Sequence, residues 1–208
     1  MRNLPFWSVL ILSTLLWQGC SENAKHENQD EFRGLRVDAL INFGKLPEEA
    51  ASEDNALTEE KIYLGQTLFY DKRLSKNGTQ SCNTCHNLSN YGVVNEARSL
   101  GDDGISVGTR NAPTVLNAAL YFRQFWDGRA ANVEDQAGMP ILNEIEMGIP
   151  NEQFLVDRLK NIKGYEVLFK QAYPEEAAPL TFENIRKAIA AFERKLVTPS
   201  AFDRYQAG

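Results

Sequence analysis

The stretch Cys82-Asn83-Thr84-Cys85-His86 is where residue type and spacing carry chemistry. In a C-x-x-C-H run, two thiols add across the vinyl groups of a haem and the adjoining imidazole becomes the proximal iron ligand. One short helical turn presents both sulfurs to the porphyrin edge and swings His86 beneath the iron. Zinc is a poorer occupant, because a structural site takes four ligands, usually in two separated pairs. Apart from Cys20, the chain offers only this cluster and the distant His26. A thioredoxin-like redox pair needs a βαβ setting, and no strand pattern surrounds the motif.

The elements that must position this cluster are preceded by a different kind of sequence. Residues 1–20 read as an export signal, with Arg2 ahead of an apolar run from Phe6 to Trp17 that is too short to span a bilayer comfortably. Gly19-Cys20 resembles a bacterial lipoprotein cleavage site, although Trp17 and Gln18 stand where an aliphatic and a small residue are usual. Lipidation of Cys20 is expected, with ordinary cleavage or an uncleaved anchor as alternatives. Haem c attachment in bacteria takes place outside the cytoplasm, so export and motif agree on the periplasm. With Cys20 assigned to the signal and Cys82 and Cys85 to haem, no thiol is left for a disulfide. Residues 21–54 are polar and poor in apolar periodicity, a tether followed by an extended lead-in. Residues 55–208 suffice for one hydrophobic core. A net charge of −6 gives no reason to expect nucleic acid or an anionic membrane surface as partner.

The periodicity predicts an all-α domain, a cytochrome c-like helical haem domain with long loops. Thr58 is an N-cap candidate, with Glu59 and Glu60 in the first turn and Leu57, Leu64, Leu68 and Phe69 as the apolar side. Asn77-Gly78 marks a turn before the haem motif, and Gly101 to Gly108 reads as a loop. Asn151 caps a helix carrying Phe154, Leu155 and Leu159. Thr181 opens the clearest helix, with Phe182, Ile185, Ile189, Phe192 and Leu196 at helical spacing and Pro199 beyond it.

The sixth iron position separates an electron carrier, which fills it with Met or His, from a peroxidase, which leaves it open. Met139 and Met147 are the carrier's candidates. The residues around them favour the peroxidase. Trp126-Asp127-Gly128-Arg129-Ala130, Glu134-Asp135-Gln136-Ala137, Pro140 and Glu144-Ile145-Glu146-Met147-Gly148 follow Arg110-Asn111-Ala112-Pro113-Thr114. With Leu64-Gly65-Gln66-Thr67-Leu68-Phe69 and Arg73-Leu74-Ser75, this order resembles the bacterial di-haem cytochrome c peroxidase family, whose superfamily includes the di-haem enzyme of methylamine utilisation. The resemblance runs from about Leu46 to the last residue.

The resemblance implies an N-terminal, peroxidatic haem whose distal residues fall on Gln136, Pro140 and Glu146. Glu146 then does acid–base work on peroxide, Gln136 holds the substrate by hydrogen bonds, and Pro140 stiffens the loop. By itself Glu146 would read as a solvated surface carboxylate. Trp126 matches a tryptophan lying between the two haems, an electron relay whose plainer reading is a packed core aromatic. Asn111 matches a side chain that helps hold a calcium ion, although one amide is a weak calcium ligand and a local loop hydrogen bond is the simpler role. Arg110 is a candidate partner for a haem propionate.

The implied activity is reduction of hydrogen peroxide with electrons from a small cytochrome c or cupredoxin. Oxidation of a protein or organic substrate is the alternative, and the pattern allows a homodimer. Two departures stand out. The loop from Gly101 to Thr109 lacks the histidine with which many members close their peroxidatic iron, so the iron is expected to be open without prior reduction. The family's second C-x-x-C-H is absent from these 208 residues, and the ending resembles the lead-in to a second haem domain, as in a fragment.

Overall fold

The computed structural model describes residues 32–207. The export signal, Cys20 and His26 lie outside them. The described residues fall into two units: Pro47–Thr198, and the residues up to Leu46 together with those from Pro199 onward.

In the larger unit, helix forms where the sequence marks it. Helix α2 (Glu59–Tyr70) starts where Thr58 Oγ1 accepts the Lys61 amide at 3.2 Å, with Glu59 and Glu60 in its first turn. Helix α7 (Phe182–Arg194) starts with Thr181 Oγ1 accepting from Asn184 N at 3.1 Å. These two long helices pack face to face. Leu64, Leu68 and Phe69 of α2 and Ile185, Ile189 and Phe192 of α7 are buried in one apolar core. The approach is so close at Gly65 that a Cβ there would lie 1.8 Å from the Ala188 carbonyl oxygen, so only glycine fits.

Helix α5 (Glu152–Lys160) is capped by Asn151 Oδ1 on Phe154 N at 2.9 Å and buries Leu155 and Leu159. Phe154, expected on its apolar side, is instead exposed beneath the Arg158 guanidinium at 4.7 Å. Helix α6 (Lys163–Ala172) adds Tyr165 and Phe169 to the core. Helix α4 (Val133–Leu142) packs on α7. A buried ion pair joins them: Arg194 Nε and Nη2 each donate at 2.8 Å to the Glu134 carboxylate, which also accepts from Asn55. Arg194 reaches further, to the Ala50 carbonyl at 3.1 Å. The lead-in from Pro47 is thereby packed against the helices it precedes.

Between the short helix α3 (Cys82–Cys85) and α4 the chain is mostly loop, with 3₁₀ turns at Leu88–Asn90 and Ala118–Leu120. No strand occurs among the described residues; two isolated bridges, Leu100 to Val107 and Gln124 to Ala130, pin these loops. The architecture is the expected all-α one.

In the smaller unit, residues 32–43 are helical (α1) where an extended lead-in was expected. Their contacts with α8 (Ala201–Ala207) account for it: the Phe43 ring meets Phe202 edge-on at 5.7 Å, and Tyr205 donates to the Phe32 carbonyl at 2.7 Å. No described helix is long and apolar enough to cross a membrane.

Candidate haem and peroxide site

Helix α3 is a single turn. Ser81 caps it, with the Thr84 hydroxyl answering to the Ser81 amide at 2.9 Å, and the His86 amide closes it on the Cys82 carbonyl at 2.9 Å. This turn presents Cys82, Cys85 and His86 to one cavity of about 340 Å³. Both cysteines are free thiols. Burial raises both above the ordinary thiol range, so they stay protonated.

His86 is oriented by its neighbour. Its Nδ1 lies 3.0 Å from the Pro113 carbonyl oxygen, which only an N–H can approach as a hydrogen bond, so Nδ1 carries the proton and Nε2 keeps its lone pair. Burial lowers its affinity for a second proton. A neutral imidazole fixed by a backbone carbonyl on its far nitrogen is how a metal-ligating histidine is usually held.

These features fit a covalent haem. Two unpaired thiols and an oriented imidazole face a cavity walled by Val115, Ala118, Ala137 and Ile189, and the buried Gln80 Oε1 on its border finds no partner among the described residues. No group of three or more His, Cys, Asp or Glu side chains is placed to hold a metal ion among the described residues.

Gln136, Pro140 and Glu146 line the same cavity. The first two stand one helical turn apart on α4, and Pro140 belongs to that helix's last turn instead of a loop. A proline there removes the N–H that would have bonded the Gln136 carbonyl. Its own carbonyl accepts from Asn143 N at 3.3 Å and Met147 N at 3.2 Å, which starts the turn that carries Glu146. Glu146 is partly buried. Burial pushes its carboxyl above the usual carboxylate range, against the pull of the Arg129 guanidinium and of Asn143, whose amide donates to Oε1 at 3.1 Å. It is therefore not a solvated surface group. Of the two methionines, Met147 lines the cavity and is buried, whereas Met139 is 40% exposed and does not line it.

The rim is built by the loop before α4. Trp126 is 65% exposed and does not pack into the core of the described residues, and its indole N–H donates to the Asn111 carbonyl at 2.8 Å. The Asn111 amide donates to the Glu96 carbonyl at 2.9 Å, a backbone bond within the loops that reaches 15 residues back along the chain and is not the local one expected. Arg110 and Arg129 each reach Asp127 at 2.9 Å, so two guanidinium groups share one carboxylate at the cavity border.

A reading that follows apolar residues alone passes over Glu193. It lies on the last turn of α7, is 5% exposed, lines the cavity, and is pushed up to about 8 by burial and then by Glu134. Its position one helical turn after Ile189 was the available signal.

Comparison with known proteins identifies the family. Residues 59–208 match the family model described as di-haem cytochrome c peroxidase. The chain is 41% identical to a cytochrome c551 peroxidase of Pseudomonas aeruginosa over 84% of its own length and 50% of the relative's. It is 37% identical to the methylamine utilization protein MauG of Methylophilus methylotrophus over 96% of its length and 56% of the relative's. Among solved structures, a MauG-like protein associated with microbial copper homeostasis superposes with a TM-score of 0.70 at 34% identity, covering 76% of this chain and 47% of that one. The chain thus spans about half the length of the curated relatives it matches. It belongs to the di-haem cytochrome c peroxidase family.

Proposed function

We propose that the chain forms the peroxidatic half of a periplasmic enzyme that reduces hydrogen peroxide to water, using electrons from a small cytochrome c or a copper protein. The observation that carries this reading is the convergence of Glu146 and Gln136 on the cavity bordered by Cys82, Cys85 and His86. When bound, the haem supplies a redox-active iron. Hydrogen peroxide, two electrons and two protons give two waters, so a proton must leave one peroxide oxygen and reach the other. Glu146 is suited to that transfer: Asn143 holds Oε1, Oε2 has no hydrogen-bond partner among the described residues, and burial raises the carboxyl toward neutrality. The Gln136 amide can hold peroxide without competing as a strong iron ligand. His86 Nε2 would hold the metal, and Trp126 at the rim would pass electrons inward.

Family membership supports a peroxide substrate and a cytochrome donor. Similarity to MauG proteins supports a second reading, in which a protein or organic substrate gives up the electrons. The second haem, lipidation of Cys20, a homodimer, and a calcium ion at Asn111 Oδ1 belong to the same proposal. Mixing the haem-loaded protein with hydrogen peroxide in a stopped-flow spectrometer tests it. Glu146→Gln should slow the spectral change by about 10²-fold or more. An unchanged rate would remove Glu146 from the chemistry.

A further inference from the structure

Glu146 lies between α4 and α5, on turns closed by Glu146 N to Asn143 O at 3.0 Å and Gly148 N to Asn143 O at 2.9 Å. No helix holds it. What meets it from outside is the loop from Ser99 to Gly108. That loop is a closed hairpin, with Gly101 N on Ser106 O at 2.8 Å and Gly108 N on Ser99 O at 2.9 Å. Asp103 fastens its tip, accepting from the amides of Ile105 and Ser106 at 2.9 and 2.7 Å.

Two contacts join this hairpin to the segment of Glu146. Asp102 N donates to the Glu146 carbonyl at 2.8 Å. Gly101 packs so tightly that a Cβ there would lie 2.2 Å from the Ile145 carbonyl oxygen. The Asp102 side chain, 4% exposed, is bound on the other side. It accepts from Asn77 N at 2.5 Å, Thr79 N at 3.1 Å and Thr79 Oγ1 at 2.7 Å. Residues 77–79 lead straight into Ser81 and the turn that carries both haem-attaching cysteines. Through one residue, the backbone of Glu146 is tied to the chain that fixes the haem.

An acid–base group works only within hydrogen-bond reach of its proton, and a misplacement of about 1 Å can cost about 10²-fold in rate. We infer that Asp102, seated by Gly101, is a positioning residue for Glu146, bracing it against the haem-attachment segment. The inference rests on Glu146 as the acid–base group.

A double-mutant cycle on the haem-loaded protein tests it, with the peroxide reaction followed by stopped flow. Asp102→Ala should slow the reaction about tenfold or more in the wild-type background. In the Glu146→Gln background it should change the rate by less than about twofold, because displacing a side chain that no longer transfers protons costs nothing more. Hydrogen exchange supplies a readout apart from activity: Asp102→Ala should lose protection over residues 143–148 while α7 stays protected. Should Asp102→Ala fail to retain haem, Thr79→Val removes one hydroxyl from the brace and should show the same non-additivity at smaller size. Equal slowing in both backgrounds, or unchanged protection over 143–148, would overturn the positioning role and leave that of Glu146 standing. A Glu146→Gln protein as fast as wild type would instead overturn the acid–base reading, and the inference with it.

Discussion

Glu193 offers the most quantitative check on the electrostatics of the cavity. It is 5% exposed, and its sequence neighbour Arg194 is turned away to Glu134 and the Ala50 carbonyl. Burial foremost, then the Glu134 charge, lift its carboxyl from the ordinary 4.5 to about 8, with Arg194 pulling weakly the other way. Between those two values the folded protein keeps a proton that the unfolded chain has released. Stability therefore falls as pH rises through that window and levels off above it. Each pH unit costs about 1.4 kcal/mol, so at pH 7 the group costs roughly 3 kcal/mol relative to an isostere that does not titrate. Glu193→Gln should be more stable than wild type by roughly 2–3 kcal/mol at pH 7, and the advantage should vanish near pH 4.5. Urea denaturation of both haem-loaded proteins at several pH values, read by far-UV circular dichroism, gives the difference directly. Other titrating groups are common to both proteins and cancel. Parallel stability–pH curves, or a glutamine variant less stable at pH 7, would refute the reasoning.

Gly65→Ala should destabilise the protein by about 1–3 kcal/mol in the same denaturation assay, because overpacking against the Ala188 carbonyl outweighs the roughly 1 kcal/mol gained in helix propensity. Arg194→Met should cost about 3–5 kcal/mol by stranding the buried Glu134 carboxylate, and adding Glu134→Met should recover much of that loss. A double variant no more stable than the single one would show that the pair matters for packing and not for charge.

Much of this arrangement was legible in the sequence where local chemistry and tertiary structure agree. Thr58, Asn151 and Thr181 cap the helices they precede, and the α7 stripe from Phe182 to Phe192 is buried as its spacing implies. Cys82, Cys85, His86, Gln136, Pro140, Glu146, Trp126 and Asn111 all border one cavity. The rest depended on partners distant in sequence. Arg194 looks like the polar end of a surface helix, and only Glu134 of α4 and the lead-in from Pro47 bury it. Asp102 reads as a loop aspartate until residues 77–79 are placed against it. Phe154 broke its stripe because the Arg158 guanidinium offered it a partner at the surface. Pro140 looked like a loop residue, yet it stands in the last turn of α4, where it forgoes its own bond to the Gln136 carbonyl.

The central claim is that Cys82, Cys85 and His86 would hold a haem whose iron Glu146 and Gln136 serve without ligating it. Electron paramagnetic resonance of the ferric, haem-loaded protein, before and after one equivalent of hydrogen peroxide, tests it most directly. The account predicts a high-spin signal that peroxide consumes in wild type and leaves largely intact in Glu146→Gln. A low-spin signal indifferent to peroxide would place a ligand such as Met147 on the iron and contradict the account.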